Sequence, residues 1–437
     1  MGVVSSRLIA RKVLTEVRSK GAYVTEALSR VLKQNTYDPV DIGYGTRLAH
    51  LSVASFQAVR SILDRYLDDA DNLPPVALDS LVVAATELLY LDAPDYTADQ
   101  GVELMKTSCP KLAGLANAVL RKVARDRSDI LHANRSSQFG FPAWLADQLI
   151  DDYGEQIASQ IMKVSNEEAP LFAYVLSVAP PDWEQQLTQA GAKITPIGEN
   201  VVRIEGMQHI RQHPLITSRV ILVTDLGAQS AVNLAPLGDR MLEVGCGRGT
   251  KTLIWADRAR REGMEAKLIG VDKSAHKIEH AQEDADRLGF DEIGYQVADA
   301  TDETLLAEET FDVVFVDAPC SGLGTLRRRS DKRLRLKPED IDELADLSAT
   351  ILRTSAQKVR EGGTLLYATC TMSRRENDEV VAGFLASVEG ADFQLDPIDE
   401  SELPDAVSTI RSEHGFVQMQ PISGGGDGHF VARLARS

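Results

Sequence analysis

The sequence predicts an α/β protein that carries an all-helical bundle at its N-terminus. Three observations support this fold class. From residue 238 onward, short apolar runs alternate with helical patterns, as a doubly wound parallel sheet requires. Residues 1–130 carry apolar residues at helical spacing throughout. Residues 170–225 hold short β-like runs around one helical stretch, the pattern of a small α+β subdomain.

Each element follows from its local pattern. SRLIARKVLTEVRS, TRLAHLSVASFQAVRSILDRYL and ALDSLVVAATELLYL repeat apolar residues every three to four positions, and Asn72-Leu73-Pro74-Pro75 punctuates the second and third of them. GLANAVLRKVARDR closes the bundle with a basic last turn, the sign that suits the negative end of a helix dipole. Residues 131–145 contain Asn134, Ser136, Ser137, Gly140 and Pro142 and read as a linker, after which 143–165 returns to helix. LFAYVLSV, ITPIG and VVRIEGM read as strands, with a helix at WEQQLTQAG. Asp225 and Gln229 stand where they would cap a helix or line a site, a simple helix N-cap at Asp225 being the plainer alternative. RMLEVG, KLIGVD, IGYQVAD, FDVVFVDAP and GTLLYATC are the expected parallel strands, and FQLDPI through GHFVARLAR supplies edge strands. The expected domains are 1–130, 131–225 and 226–437.

The chain's 437 residues suffice for several cores. No apolar run approaches the ~18 residues of a membrane span, and the N-terminus does not read as a secretory signal. Four cysteines, Cys109, Cys246, Cys320 and Cys370, form no CxxC pair and no zinc-like cluster, so no metal is expected. Sparse cysteine without a leader suits a reducing cytoplasm. The net charge is −18: residues 1–130 hold 16 basic and 16 acidic residues, and 131–437 hold 31 and 49. Such an acidic body argues against indiscriminate nucleic-acid binding but allows a basic patch. Two stretches qualify: 327–337, with seven basic residues and one acid, and Arg121-Lys122 with Arg125 and Arg127.

The chemistry-bearing residues sit at the carboxyl ends of the predicted strands, where open α/β sheets bind ligands. Glu243-Val244-Gly245-Cys246-Gly247-Arg248-Gly249 forms the first strand-to-helix turn. Its G-x-G-x-G spacing differs from the dinucleotide fingerprint. The acid before the glycines suits the cationic amino-acid end of S-adenosylmethionine. Asp272 ends the second strand, where an acid commonly holds ribose hydroxyls, and Asp299 ends the third. Asp317 and Cys320 follow the fourth strand and Cys370 the fifth. Two thiols at the functional edge, one beside an acid, suggest a nucleophile and a helper. A thiolate that adds to C6 of a pyrimidine makes C5 nucleophilic enough to accept a methyl group. Cys109 and Cys246 read as small buried hydrophobes.

These residues carry a resemblance. Asp317-Ala318-Pro319-Cys320-Ser321-Gly322-x-Gly324, Arg327-Arg328, Thr369-Cys370 and Glu376-Asn377 resemble the signature of RNA cytosine-5 methyltransferases of the Sun/Fmu (RsmB, NSUN) family. Asn117-Ala118-Val119-Leu120-Arg121 resembles the NusB-like RNA-binding domain of the RsmB-like branch, and Asp427-Gly428-His429-Phe430 its C-terminal strand. The resemblance implies a NusB-like bundle joined to a Rossmann-like class I methyltransferase domain. It implies Cys370 as nucleophile, Cys320 as the group that assists product release, and Asp317 as a hydrogen-bond partner near N3 of the base. It assigns S-adenosylmethionine to Glu243, Gly245, Cys246, Gly247, Arg248, Gly249, Thr250, Lys251, Asp272, Asp299 and Asp317. The expected RNA contacts are Arg121, Lys122, Arg327, Arg328 and Arg329. The implied partner is RNA, 16S ribosomal RNA in first place, bound by a cytoplasmic monomer without a membrane. The target base has to leave its stack, so the substrate is an accessible loop or a partly folded RNA.

The sequence departs from the family at three places. Its cofactor turn is GCGRGT, Tyr174-Val175-Leu176 stands where the family has arginine-valine-asparagine, and Ser330 stands in place of a proline. The rival reading is an RNA-binding assembly factor with little or no methyltransferase activity. A methyltransferase acting on protein or on an exocyclic amine would need no nucleophilic cysteine, so Cys370→Ala would leave it active.

Overall fold

A computed structural model describes residues 2–437 except 35, 92, 93, 95, 207–209, 308, 412 and 413. Met207, the end of the expected VVRIEGM strand, lies outside the described residues. The chain divides into two compact units. One comprises Met1–Glu167 with Leu326–Pro338, and the other Glu168–Thr325 with Glu339–Ser437.

The first unit holds α1 (Gly2–Lys20), α2 (Val24–Lys33), α3 (Pro39–Ala54), α4 (Phe56–Leu63), α5 (Pro75–Tyr90), α6 (Thr97–Lys106), α7 (Ala113–Arg125), α8 (Arg127–Ala133), α9 (Arg135–Phe139) and α10 (Ala143–Val164). α5 is its centre: residues Ala77 through Leu89 are all buried, including Asp79 and Glu87. Those two acids are paired. Arg7 donates to Glu87 through both Nε and Nη2, and Arg18 pairs with Asp79. Burial without such partners would cost several kcal/mol per charge. The expected linker at 131–145 is helical instead: Asn134 caps α9 by accepting from Ser137 N at 2.7 Å, and Gly140 closes it in the left-handed conformation at φ 68°. That stretch therefore belongs to the helical unit.

The second unit begins with β1 (Leu171–Val175), α11 (Trp183–Gln189), β2 (Lys193–Pro196), β3 (Val201–Glu205), α12 (Pro214–Thr217) and β4 (Ile221–Val223). These strands form an antiparallel sheet of order β2-β3-β1-β4, the expected α+β subdomain. The chain continues through α13 (Leu226–Asn233), β5 (Arg240–Val244), α14 (Thr250–Arg261), β6 (Lys267–Asp272), α15 (Ala275–Leu288), β7 (Ile293–Val297) and β8 (Phe311–Asp317). After α16 (Lys332–Arg335), which belongs to the first unit, come α17 (Pro338–Ala356), β9 (Val359–Thr369), α18 (Asp378–Leu385), β10 (Phe393–Leu395), β11 (Ser408–Arg411), β12 (Val417–Gln420) and β13 (His429–Arg436). The large sheet runs β11-β12-β13-β9-β8-β5-β6-β7, with β10 paired to β13. β9, β8, β5, β6 and β7 are parallel, whereas β13 joins β9 antiparallel. The expected doubly wound sheet is thus extended by the C-terminal strands. β9 starts at Val359, three residues after α17 ends at Ala356.

Arg333 accounts for the excursion of 326–338 into the first unit. Its side chain is fully buried. The guanidinium lies over Phe141 at 3.8 Å from the ring centroid, donates to Asn166 Oδ1 at 2.8 Å and to the Ser165 carbonyl at 2.7 Å, and anchors α16 beside α3. Burial pushes the Arg333 guanidinium down to about 9. His50 Nδ1 lies 3.0 Å from Ser330 Oγ, and Arg335 donates to the carbonyls of Gly21 and Ala22. Arg333→Ala leaves a hole and strips two acceptors. This unit should be destabilised by about 2–4 kcal/mol, read as a lower Tm by calorimetry. Arg333→Met, which fills most of the space, should lose less.

Candidate active site

The site is assembled at the carboxyl ends of β5, β6, β8 and β9, where the parallel registers bring the motif residues side by side. Val244 pairs with Val316 and Val271, and Asp317 with Ala368. At the first turn Gly245 has φ 82°, and a Cβ there would stand 2.4 Å from the Asp317 carbonyl oxygen. A Cβ on Gly249, at φ 71°, would meet the Tyr295 hydroxyl at 2.2 Å. Only glycine suits both positions, so GCGRGT is a sterically fixed turn. Asp272 steadies it, accepting from Gly247 N at 3.1 Å and from Ser274 N at 2.8 Å.

Three charged side chains line this turn. Glu243 is buried; its Oε2 accepts from Thr252 Oγ1 at 2.6 Å, while Oε1 has no hydrogen-bond partner among the described residues. Burial pushes the Glu243 carboxyl up to about 7, against the pull of Lys251. Lys251 forms an ion pair with Asp317 through Nζ and Oδ2. Burial alone would lower the Lys251 pKa, but Asp317 and then Glu243 hold it raised, and Cys370 adds to the same field. Lys251 therefore lies within electrostatic reach of Cys370. Asp299 is exposed and closes a local turn, accepting from Thr301 N at 2.9 Å and Thr301 Oγ1 at 2.8 Å. Cys246 is buried, and burial pushes its thiol far up, as suits a packing residue.

The two predicted thiols come together. Cys320 Sγ and Cys370 Sγ are 3.4 Å apart on the loops that follow neighbouring strands. Glu376 fastens those loops to each other: it accepts from Ser321 N at 2.6 Å, from Ser321 Oγ at 2.5 Å and from Thr371 Oγ1 at 3.1 Å. Asn377 accepts from Thr369 Oγ1 at 2.7 Å and donates to the Thr371 carbonyl at 3.1 Å. The Glu376-Asn377 pair thus acts through geometry. Burial raises the Glu376 pKa, and the bonds from Ser321 oppose it. The Asp-Gly-His turn closes the floor. Gly428 N donates to Gly324 O at 2.9 Å, and a Cβ on Gly324 would stand 2.0 Å from Gly428 O.

The RNA candidates are placed unequally. Arg121 and Lys122 are exposed on α7, with Arg121 facing Asp99 at 3.7 Å. Arg329 is exposed and Arg328 half-buried, but Arg327 is only 8% exposed. The run 327–337 is not the open basic patch it looked like: Arg327 and Arg333 are buried, so neither is presented to a phosphate. Tyr174, at the second of the three departures from the family pattern, is buried and donates to Asp257 Oδ2 at 3.2 Å. Of the two readings of Asp225 the structure shows the helix cap, its side chain accepting from Gly227 N at 2.8 Å. Arg219, which no motif marks, donates to the Arg248 carbonyl at 3.0 Å, to Thr250 Oγ1 at 2.7 Å and to Asp284 Oδ2 at 2.9 Å.

Residues 231–435 match the family described as 16S rRNA methyltransferase RsmB/F, and residues 4–125 match the NusB family. Residues 231–435 thus form an RsmB/F-type methyltransferase domain. The N-terminal helices are a NusB-type domain. Over the full length of both chains the protein is 28% identical to the probable ribosomal RNA small subunit methyltransferase B of Bacillus subtilis. It is 29% identical to ribosomal RNA small subunit methyltransferase B of Xanthomonas campestris over 90% of each chain. The crystal structure of PH0851 superimposes over 98% of each chain, with a TM-score of 0.77 at 18% identity, and so shares the fold. Among the described residues no group of His, Cys, Asp or Glu is placed to hold a metal ion, and no helix is long and apolar enough to cross a membrane.

Proposed function

We propose that this RsmB/F-type methyltransferase transfers a methyl group from S-adenosylmethionine to C5 of a cytosine in RNA, with 16S ribosomal RNA as the substrate. The observation that supports the chemistry is the pair of thiols 3.4 Å apart, beside Asp317 and Lys251. In this reading the Cys370 thiolate forms a bond to C6, and the electron pair displaced from the C5=C6 double bond makes C5 the nucleophile. S-adenosylmethionine supplies the electrophilic methyl group. After transfer Cys320 accepts the C5 proton, the double bond re-forms and the C6–S bond breaks, returning Cys370 as the thiolate. Asp317 holds the ring near N3. The unpartnered Glu243 Oε1 fits the ammonium end of the methyl donor, and Asp272 its ribose. Arg121, Lys122, Arg328 and Arg329 are the remaining candidates for phosphate contacts.

Incubating the purified protein with S-adenosylmethionine and undermethylated 16S RNA should yield 5-methylcytidine in the nucleoside digest. A folded protein that binds this RNA but methylates neither it nor transfer RNA would instead be the assembly factor.

Glu243 gives this reading a pH dependence. A carboxyl whose folded pKa is raised to about 7 is neutral below that value and ionised above it. The ammonium of the methyl donor favours the ionised form. Affinity should therefore rise by up to about tenfold per pH unit as pH approaches 7, then level off. Titration calorimetry from pH 6 to 8 checks this, and Glu243→Gln should flatten the slope.

A further inference from the structure

We infer that Arg219 is a positioning residue of the cofactor turn: it holds the N-terminus of α14 in its binding conformation and adds positive charge there. This rests on the cofactor assignment made above. Arg219 lies between α12 and β4, far in sequence from the glycine turn, yet it grips that turn at two points. One guanidinium nitrogen donates to the Arg248 carbonyl at 3.0 Å and the other to Thr250 Oγ1 at 2.7 Å. These two acceptors flank Gly249, whose left-handed φ of 71° makes the turn.

Two further features separate this contact from casual surface pairing. The Arg219 backbone is itself left-handed, at φ 59°, a conformation that is uncommon and mildly strained for a residue with a Cβ. The segment is held in that state from outside. Arg287 donates to the Ser218 carbonyl and pairs with Asp284, and Asp284 in turn receives Arg219 at 2.9 Å. The Arg219 side chain is 16% exposed and Asp284 14% exposed, so the pair is shielded from solvent. Burial lowers the Arg219 pKa and Asp284 opposes that effect.

The electrostatics point the same way. The N-terminus of a helix carries a partial positive charge, and a cation nearby is unfavourable there. A guanidinium placed against the first residue of α14 therefore costs stability unless an anion answers it. Asp284 answers part of that charge. The remainder suits the carboxylate of the methyl donor's amino-acid end, while Glu243, on the adjoining strand, suits its ammonium.

The experiment is calorimetric titration of the full-length protein with S-adenosylhomocysteine, alongside methylation kinetics. For Arg219→Ala we expect Kd to rise by about tenfold or more. At saturating S-adenosylmethionine, kcat should stay within about twofold of wild type. Arg219→Lys, which keeps the charge but not the fork, should recover part of the affinity. Asp284→Asn lies on the outer helix α15, and it should weaken binding severalfold by loosening Arg219 even if Arg219→Ala proves unstable. An unchanged Kd in folded Arg219→Ala and Asp284→Asn overturns the inference. So does a parallel loss of affinity, kcat and Tm that Arg219→Lys does not relieve, since that would be a packing role. If wild type binds no S-adenosylhomocysteine, the cofactor assignment itself fails, a result distinct from either.

Discussion

Replacing Cys320 with alanine is expected to leave RNA covalently attached to the protein through Cys370. The two sulfurs are 3.4 Å apart, so a base bonded at C6 to Cys370 has its C–S bond directly beside Cys320. Without that thiol the addition and methyl transfer proceed, but elimination stalls. A denaturing gel of Cys320→Ala incubated with RNA and S-adenosylmethionine should show a slow-migrating adduct. Cys370→Ala, alone or with Cys320→Ala, should show none. Turnover should fall by at least about a thousandfold in Cys370→Ala, the equivalent of roughly 4 kcal/mol in the barrier. Substantial methylation by Cys370→Ala would remove the covalent mechanism. An adduct in Cys370→Ala that is absent in Cys320→Ala would exchange the two roles.

These two cysteines were legible in the sequence because their placement is local. Each follows an apolar run that ends at a sheet edge, and parallel pairing of β8 with β9 then brings Asp317 level with Ala368. The glycine turn was legible because its three glycines directly follow an apolar run, although the steric demands on Gly245 and Gly249 come from Asp317 and Tyr295 on other strands. Other features depend on partners distant in sequence. The basic run at 327–337 looks like a solvated face, but Arg333 is buried on Phe141 and Asn166, which no local pattern pairs with it. Residues 131–145 have a linker's composition, yet Asn134 and Gly140 are the cap and stop of a short helix. Arg219 carries no motif at all. Its importance comes from a left-handed backbone and from Asp284 on another helix, and neither can be read from spacing.

Asp317 is the second residue whose loss should have a large effect, and its case separates charge balance from chemistry. Its carboxylate pairs with Lys251, while its carbonyl packs against the glycine turn. In the proposed mechanism it also holds the ring near N3 as the thiolate adds. Asp317→Ala should therefore lower kcat by about 10²–10⁴-fold. It should also cost stability, because Lys251, only 19% exposed, keeps its charge with Glu243 as the remaining counter-ion. The double variant Asp317→Asn/Lys251→Met removes both charges together and should regain much of the lost stability. It should regain none of the activity if Asp317 acts on the base. Recovery of methylation in the double variant would mean that Asp317 serves only to neutralise Lys251, and the ring contact would have to be assigned elsewhere.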